Sequence, residues 1–174
     1  MSAASTAKSP QKRHRVAVLG ATGAVGQAFI RLLADHPWFE VTTVAASPSS
    51  AGKSYGDAVA GRWTMPTPVP ATTAKLTVGN ASDVSSIASQ VDFVFCAVDM
   101  AKDETAKLEE AYARAETPLV SNNSAHRWTP DVPMMVPEIN SHHSAVIEAQ
   151  RKRLGTKRGF IAVKPNCSSF TSFS

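Results

Sequence analysis

Three glycines spaced three apart, Gly20, Gly23 and Gly26, stand between a wholly apolar run, Val16-Ala17-Val18-Leu19, and a segment of helical periodicity. That junction narrows the choice of fold more than any other part of the chain. A short apolar run with no polar alternation reads as a strand buried on both faces, as in parallel sheets. After it, Val25, Phe29, Leu32 and Leu33 fall on one helical face within residues 23–36, and Pro37 marks the stop. A second strand is expected over 39–45. Strand, turn, helix and strand in this compass make one βαβ unit, whose right-handed crossover sets the two strands parallel. The turn itself reads G-x-x-G-x-x-G. Gly20 permits the tight reversal, Gly23 leaves a pyrophosphate room at the backbone, and Gly26 lets the helix lie close to the sheet. Free N–H groups at the helix start would face the anion.

The rest of the chain repeats the alternation. Residues 47–73 are rich in Ser, Gly, Pro and Thr and read as a long surface excursion without regular structure. Beyond it, strands are expected at 75–78, 92–98, 118–121 and 160–163, with an edge-like segment at 134–136. Helices are expected just after Asp83, over 101–115, and over 141–154 with Gly155 as terminator. This order implies an α/β fold, a doubly wound and mostly parallel sheet of the Rossmann-like kind, over residues 14–155. Residues 1–13, with Lys8, Lys12 and Arg13 and no acid, read as a disordered basic tail.

Composition limits the partners. The formal net charge of +4 comes partly from that tail, and 7% aromatic residues leave few rings for stacking bases, so nucleic acid is not expected as a partner. No apolar run approaches the roughly 18 residues of a membrane helix, and no membrane partner is expected. Two cysteines and no secretory h-region point to a reducing, cytoplasmic setting. No His, Cys, Asp or Glu grouping has metal-ligand spacing, and no metal is expected. An NAD site usually carries a carboxylate at the end of its second strand. Here that end is Ala45-Ala46-Ser47-Pro48-Ser49-Ser50, with Lys53 close behind, so NADP is the expected coenzyme.

Cys167 follows the strand expected at 160–163, after Lys164-Pro165-Asn166, where α/β sites gather. That is a place for a nucleophile, with the Asn166 amide able to serve an oxyanion. Cys96, inside an apolar strand, reads as an inert small hydrophobe.

Taken together, Gly-Ala-Thr-Gly-Ala-Val-Gly at 20–26, Ser-Asn-Asn-Ser-Ala-His-Arg at 121–127, Val-Pro-Glu-Ile-Asn at 136–140 and Pro-Asn-Cys-Ser at 165–168 closely resemble the amino-terminal half of aspartate-semialdehyde dehydrogenases. The Ser-Ala-Gly-Lys loop is most similar to the fungal or archaeal branch. The resemblance implies NADPH-dependent reduction of aspartyl β-phosphate to aspartate β-semialdehyde, in lysine, methionine and threonine biosynthesis, through a thioester on Cys167. It implies that Gly20, Thr22, Gly23, Ala24, Val25 and Gly26 line the pyrophosphate, that Ser47 and Ser50 meet the 2′-phosphate, and that Asn122, Arg127 and Asn166 serve the small-molecule substrate. A guanidinium fork suits an acyl phosphate. Family members are homo-oligomers with a second, catalytic and dimerisation domain, which supplies the acid/base histidine. By that pattern residues 156–174 are only the beginning of the second domain, and this chain alone is expected to be too short for turnover. Two other readings stand beside it: a non-catalytic NADP-binding module, and a different acyl-phosphate reductase.

Overall fold

Successive residues of β1 (His14–Leu19) face two different apolar masses: Ala17 and Leu19 belong to one buried cluster, Val16 and Val18 to the other. This is the two-sided burial that a strand at the centre of a parallel sheet requires. The computed structural model describes residues 12–166. In it β1 is joined by β2 (Phe39–Ala46), β3 (Val78–Asn80), β4 (Phe93–Cys96), β5 (Leu119–Ser121) and β6 (Ile161–Val163) in a six-stranded sheet ordered β3-β2-β1-β4-β5-β6. Every neighbouring pair is parallel. The chain runs outward from β1 to β3, returns to the other side of β1 as β4, and continues to β6. The point of return leaves a crevice at the carboxyl ends of β1 and β4, the place where such sheets bind ligands.

Among the described residues, short helices carry the connections: α1 (Ala24–Leu33), α2 (Tyr55–Val59), α3 (Ala71–Ala74), α4 (Val84–Ala88), α5 (Lys102–Arg114), α6 (Pro137–Asn140) and α7 (Ile147–Leu154). Ile30 and Leu33 of α1 and Tyr55 and Val59 of α2 pack against Val16, Val18 and Val44 on one face. Ile87 of α4, Leu108 and Tyr112 of α5 and Leu154 of α7 pack against Ala17, Leu19, Val94 and Leu119 on the other. The result is three layers, helix, sheet and helix, as the alternation implies.

The structure departs from the sequence reading in four places. The buried stripe of α1 is Gly26, Gln27, Ile30 and Leu33, whereas Val25 is 41% and Leu32 65% exposed. Gly26 sets this phase. A Cβ there would stand 2.1 Å from the Gly20 carbonyl oxygen, so only a glycine can face the turn, and the stripe moves round by one residue. Phe29 remains half-buried and packs on Phe95 at a ring separation of 5.3 Å.

The excursion after Ser47 holds two helices where none is expected. Ser54 caps α2, its Oγ accepting from the Asp57 N–H at 3.2 Å. The third strand is Val78–Asn80 and not 75–78, because residues 76 and 77 are used in an antiparallel pairing with 52–55. There the Tyr55 N–H donates to Leu76 O at 2.8 Å, the Gly52 N–H to Val78 O at 2.8 Å, and the Val78 N–H to Lys53 O at 2.9 Å. The helix expected over 141–154 is a 3-10 stretch over Ser141–Val146 that becomes α7 at Ile147, with Gly155 at φ 72° as its left-handed stop. The segment at 134–136 forms a single parallel bridge, Met134 to Val163, on the outer side of β6.

Candidate functional site

The turn after β1 follows the geometry its glycines imply. Gly20 has φ 74°, a left-handed conformation, and a Cβ there would meet the Ala97 carbonyl oxygen at 2.2 Å. The Ala21 N–H donates to Ala45 O at 3.1 Å and the Gly23 N–H to Gly20 O at 3.1 Å. Gly23 is the N-cap of α1 and makes no side-chain capping bond, and the first turn carries no acid. The positive end of α1 is therefore not compensated by a cap or by an acid of its own first turn. A Cβ at Gly23 would come no closer to the protein than 3.5 Å, so the space over this helix end is open. Ala24 and Val25 are exposed beside it.

This turn forms one wall of a cleft of about 250 Å³, which the ends of β2 and β4 complete through Ala46, Ser47, Ala97 and Val98. Asn80 and Ser82 contribute from beyond β3, and among the described residues the lining carries one carboxylate, Asp99. A larger hollow of about 660 Å³ lies at the amino ends of β1 and β2, between the end of α1 and residues 67–73. It touches no part of the glycine turn, and the smaller cleft at the carboxyl ends is the one placed for chemistry. Ser47 is exposed with its Oγ 2.9 Å from that of Ser49, whereas Ser50 is 7% exposed and lies outside the cleft lining. Its N–H donates to Ser47 O at 3.0 Å and fixes the loop.

Two side chains that periodicity does not single out hold the turn from behind. The Tyr55 hydroxyl donates to Ala21 O at 2.8 Å. The Gln27 amide donates to Thr22 O at 3.0 Å and to Arg62 O at 2.9 Å, and its oxygen accepts from the Thr64 N–H at 2.9 Å and hydroxyl at 3.1 Å. The readable signal for this region is Ser54-Tyr55-Gly56-Asp57, a capping pattern that announces α2.

The loop after β5 stands at the carboxyl end of the neighbouring strand, outside the lining of the cleft. The Asn122 N–H donates to Cys96 O at 2.9 Å, and the Arg127 guanidinium donates through one Nη to Asn122 O at 3.1 Å, while its buried Nε has no acceptor among the described residues. His126 is buried, with both ring nitrogens engaged. Its Nε2–H donates to Ala106 O at 3.3 Å, which leaves Nδ1 to accept from the Thr129 hydroxyl at 3.1 Å. Beneath the loop lies Glu109, fully buried, whose Oε1 accepts from the Ser121 hydroxyl and from Asn123 Nδ2 at 3.3 Å. Its Oε2 has no partner among the described residues, and burial pushes this carboxyl above the usual range. Burial likewise pushes the Cys96 thiol up, so it is a poor thiolate, 3.6 Å from the Asn123 amide.

The chain leaving β6 is tied to the end of β5. The Lys164 N–H donates to Ser121 O at 3.1 Å, and Asn166 is exposed two residues further on. Cys167 lies outside the described residues, as do residues 1–11 and 168–174. Among the described residues there is no group of three His, Cys, Asp or Glu that could hold a metal ion, and no helix is long and apolar enough to cross a membrane.

The sequence profile of the semialdehyde dehydrogenase NAD-binding domain matches residues 15–147. Over 162 residues the chain is 40% identical to an aspartate-semialdehyde dehydrogenase of Archaeoglobus fulgidus, an alignment that takes in 90% of this chain and 43% of the relative. Over 159 residues it is 42% identical to one from Trichophyton rubrum, covering 91% of this chain and 42% of that protein. The chain thus spans less than half the length of the curated relatives it matches. Among solved structures, aspartate-semialdehyde dehydrogenase of Candida albicans with NADP superposes at a TM-score of 0.79 with 36% identity, over 91% of this chain and 44% of that one. With the profile covering most of its length and the glycine turn, cleft and sheet order in place, the chain belongs to the semialdehyde dehydrogenase family, by way of its NAD-binding domain.

Proposed function

We propose that the chain is the coenzyme-binding part of an NADP-dependent aspartate-semialdehyde dehydrogenase, which reduces aspartyl β-phosphate to aspartate β-semialdehyde on the route to lysine, methionine and threonine. The observation that carries this reading is the uncapped, open amino end of α1 over the Gly20 turn, in a cleft where β2 ends on hydroxyls and not on a carboxylate. Thr22, Gly23, Ala24 and Val25 would line the pyrophosphate, with Gly20 and Gly26 shaping the turn. Ser47 is exposed where the 2′-phosphate would lie, and Ser50 holds that loop in place. Bound NADPH supplies a hydride in this chemistry.

The other groups are assigned on family resemblance, with Asn122 and Arg127 following β5 and Asn166 following β6 at the carboxyl end of the sheet. The Cys167 sulfur attacks the acyl carbon, the Asn166 amide receives the developing oxyanion, and phosphate leaves from the grip of Arg127 and Asn122. The bond from the Lys164 N–H to Ser121 O supports the assignment, since it sets the approach to Cys167 beside the 121–127 loop. The domains are read as a basic tail over 1–13, a coenzyme domain from 14 that runs past the expected boundary at 155 to take in β6, since Ile161 and Val163 pair with β5 and lie in the same core, and then the start of a catalytic and dimerisation domain. The acid/base histidine is expected from that second domain, and the whole enzyme is read as a cytoplasmic homo-oligomer acting on small molecules alone.

Two measurements test this. Titration of the 174-residue chain with NADPH, followed by nicotinamide fluorescence, should show saturable binding with negligible turnover. Joined to the rest of a family member, the chain should support phosphate-dependent reduction of NADP by aspartate semialdehyde, and Cys167→Ala should abolish it. A chimera that keeps its full activity after Cys167→Ala would overturn the role given to the sulfur.

A further inference from the structure

We propose that Tyr55 and Gln27 are positioning residues that fix the spacing between the glycine turn and the Ser47 loop, and that this spacing favours NADPH over NADH. The inference rests on the NADP reading of the cleft and adds the groups that set its dimensions.

The turn is joined to the end of β2, just before the Ser47 loop, by a backbone bond from the Ala21 N–H to Ala45 O. What holds turn and loop at a fixed distance runs behind the cleft. From Ser47 the chain makes a tight helical turn, with bonds from the Ser50 N–H to Ser47 O and from the Ala51 N–H to Pro48 O at 3.3 Å. It is then laced to residues 76–78 through Gly52, Lys53 and Tyr55, and so has no free hinge before Tyr55. Tyr55 is fully buried, and its hydroxyl is spent on Ala21 O and not on solvent. A trans peptide carries its C=O and N–H on opposite sides, so a carbonyl drawn back to Tyr55 turns the Thr22 N–H the other way.

Gln27 adds a second tie to the same turn. Both amide hydrogens and both oxygen lone pairs are in use, on Thr22, Arg62 and Thr64, so its rotamer is locked. It links the turn to the far end of the same excursion that begins at Ser47. Tyr55 also packs edge-on against Trp63, at 6.5 Å between ring centres, which joins the two ties.

A dinucleotide without a 2′-phosphate engages the turn and not the Ser47 hydroxyls. One with the phosphate must satisfy both ends at once, and an error in their separation penalises it alone. Cutting either tie should therefore change the ratio of the two affinities. A purely structural loss of stability would weaken both coenzymes together.

The test uses fluorescence titrations of NADPH and NADH on the 174-residue chain, as wild type, Tyr55→Phe and Gln27→Met. Loss of one buried hydrogen bond at the turn should weaken NADPH about tenfold and NADH by no more than about twofold. Wild-type hydrogen exchange gives a reading independent of either variant folding. Saturating NADPH should slow exchange of the Gly52 and Tyr55 amides, which face residues 76–78, and saturating NADH should not. A folded variant with an unchanged NADPH-to-NADH ratio, or wild-type amides that respond equally to both coenzymes, overturns this inference alone. A wild-type chain that binds neither coenzyme overturns the NADP reading of the cleft, and this inference with it.

Discussion

Tyr55 and Gln27 brace the glycine turn with a hydroxyl and an amide, whereas Glu109 and Glu116 brace the ends of β5 and β6 with carboxylates. The first pair keeps its bonds at any pH at which the chain is folded. The second pair titrates. Glu116 sits at φ 61°, and its carboxylate accepts from the backbone N–H groups of Lys157, Arg158 and Gly159, which hold its pKa below the usual value. Glu109 is held in the opposite direction by burial, with Ser121, His126 and Asn123 acting against it. The glycine turn is thus held by groups that do not titrate, while the loop after β5 and the entry to β6 are tied to protonation.

The largest expected effect strikes the neutral side. Gly26→Val drives a side chain into the Gly20 carbonyl, and should cost about 3 kcal/mol and abolish NADPH binding. Thermal unfolding and fluorescence titration check it; a variant that unfolds and binds as wild type does would show that the turn has slack.

Next is the base of the 121–127 loop. Glu109→Ala strands the Ser121 hydroxyl and the Asn123 amide in a buried site and should cost about 2 kcal/mol. Glu109→Gln keeps an acceptor oxygen for both and should cost less than half as much at neutral pH. Equal losses from Ala and Gln, measured by urea unfolding, would mean that shape and not hydrogen bonding holds the loop.

The pH dependence separates the two carboxylates more finely. A raised folded pKa means that the folded chain keeps a proton that the unfolded chain has released, so the Glu109 contribution weakens as pH rises from the ordinary carboxyl range to its folded value. For Glu116 the sign reverses: its contribution is complete above the ordinary carboxyl range and is lost as pH falls toward its depressed value. In urea unfolding across pH, Glu109→Gln should flatten the descending limb, and Glu116→Gln should make shallower the ascending one, to which Asp92, held low by Arg15, also contributes. If Tyr55→Phe altered either limb, the contrast between the two regions would fail.

The smallest effect belongs to the surface. Arg153 bridges Asp131 at 2.5 Å and Glu110 at 2.8 Å, joining α7 to α5 and the loop between them. Arg153→Ala should cost under about 1 kcal/mol and less still in high salt. A larger or salt-independent loss would make this network a third brace.

The same contrast decides how much the sequence discloses. The βαβ unit is legible because a buried parallel strand, its glycines and an amphipathic helix each leave a local pattern, and the alternation beyond it yields the sheet class. The face of α1 is misread because apolar character alone is counted. Gly26 carries no hydrophobicity, yet it sets which way the helix turns. Helices α2 and α3 span five and four residues, too short for periodicity, and only the Ser54 cap announces the first of them. Glu109 is hidden by its neighbours. In Lys107-Leu108-Glu109-Glu110 a charge reads as solvated, and only the packing of Thr105, Leu108, Tyr112 and Ala113 on the sheet carries it inward. Of the candidate residues, Gly20, Thr22, Gly23 and Ser47 line one cleft, while Ser50 is buried and lies outside that lining.

The outer strands show a different arrangement. At Val163 the earlier segment 133–135 runs alongside in parallel, the Met135 N–H donating to Val163 O and the Val163 N–H to Pro133 O, both at 2.9 Å. At Val78 the opposite strand is likewise engaged by Gly52 and Lys53. Each margin of the sheet is hemmed by a few residues of the same polypeptide. Among the described residues, a strand from a second molecule would find no long ladder of vacant amides to extend at either hem, so two short stitches of main chain disfavour edge-to-edge growth into fibres.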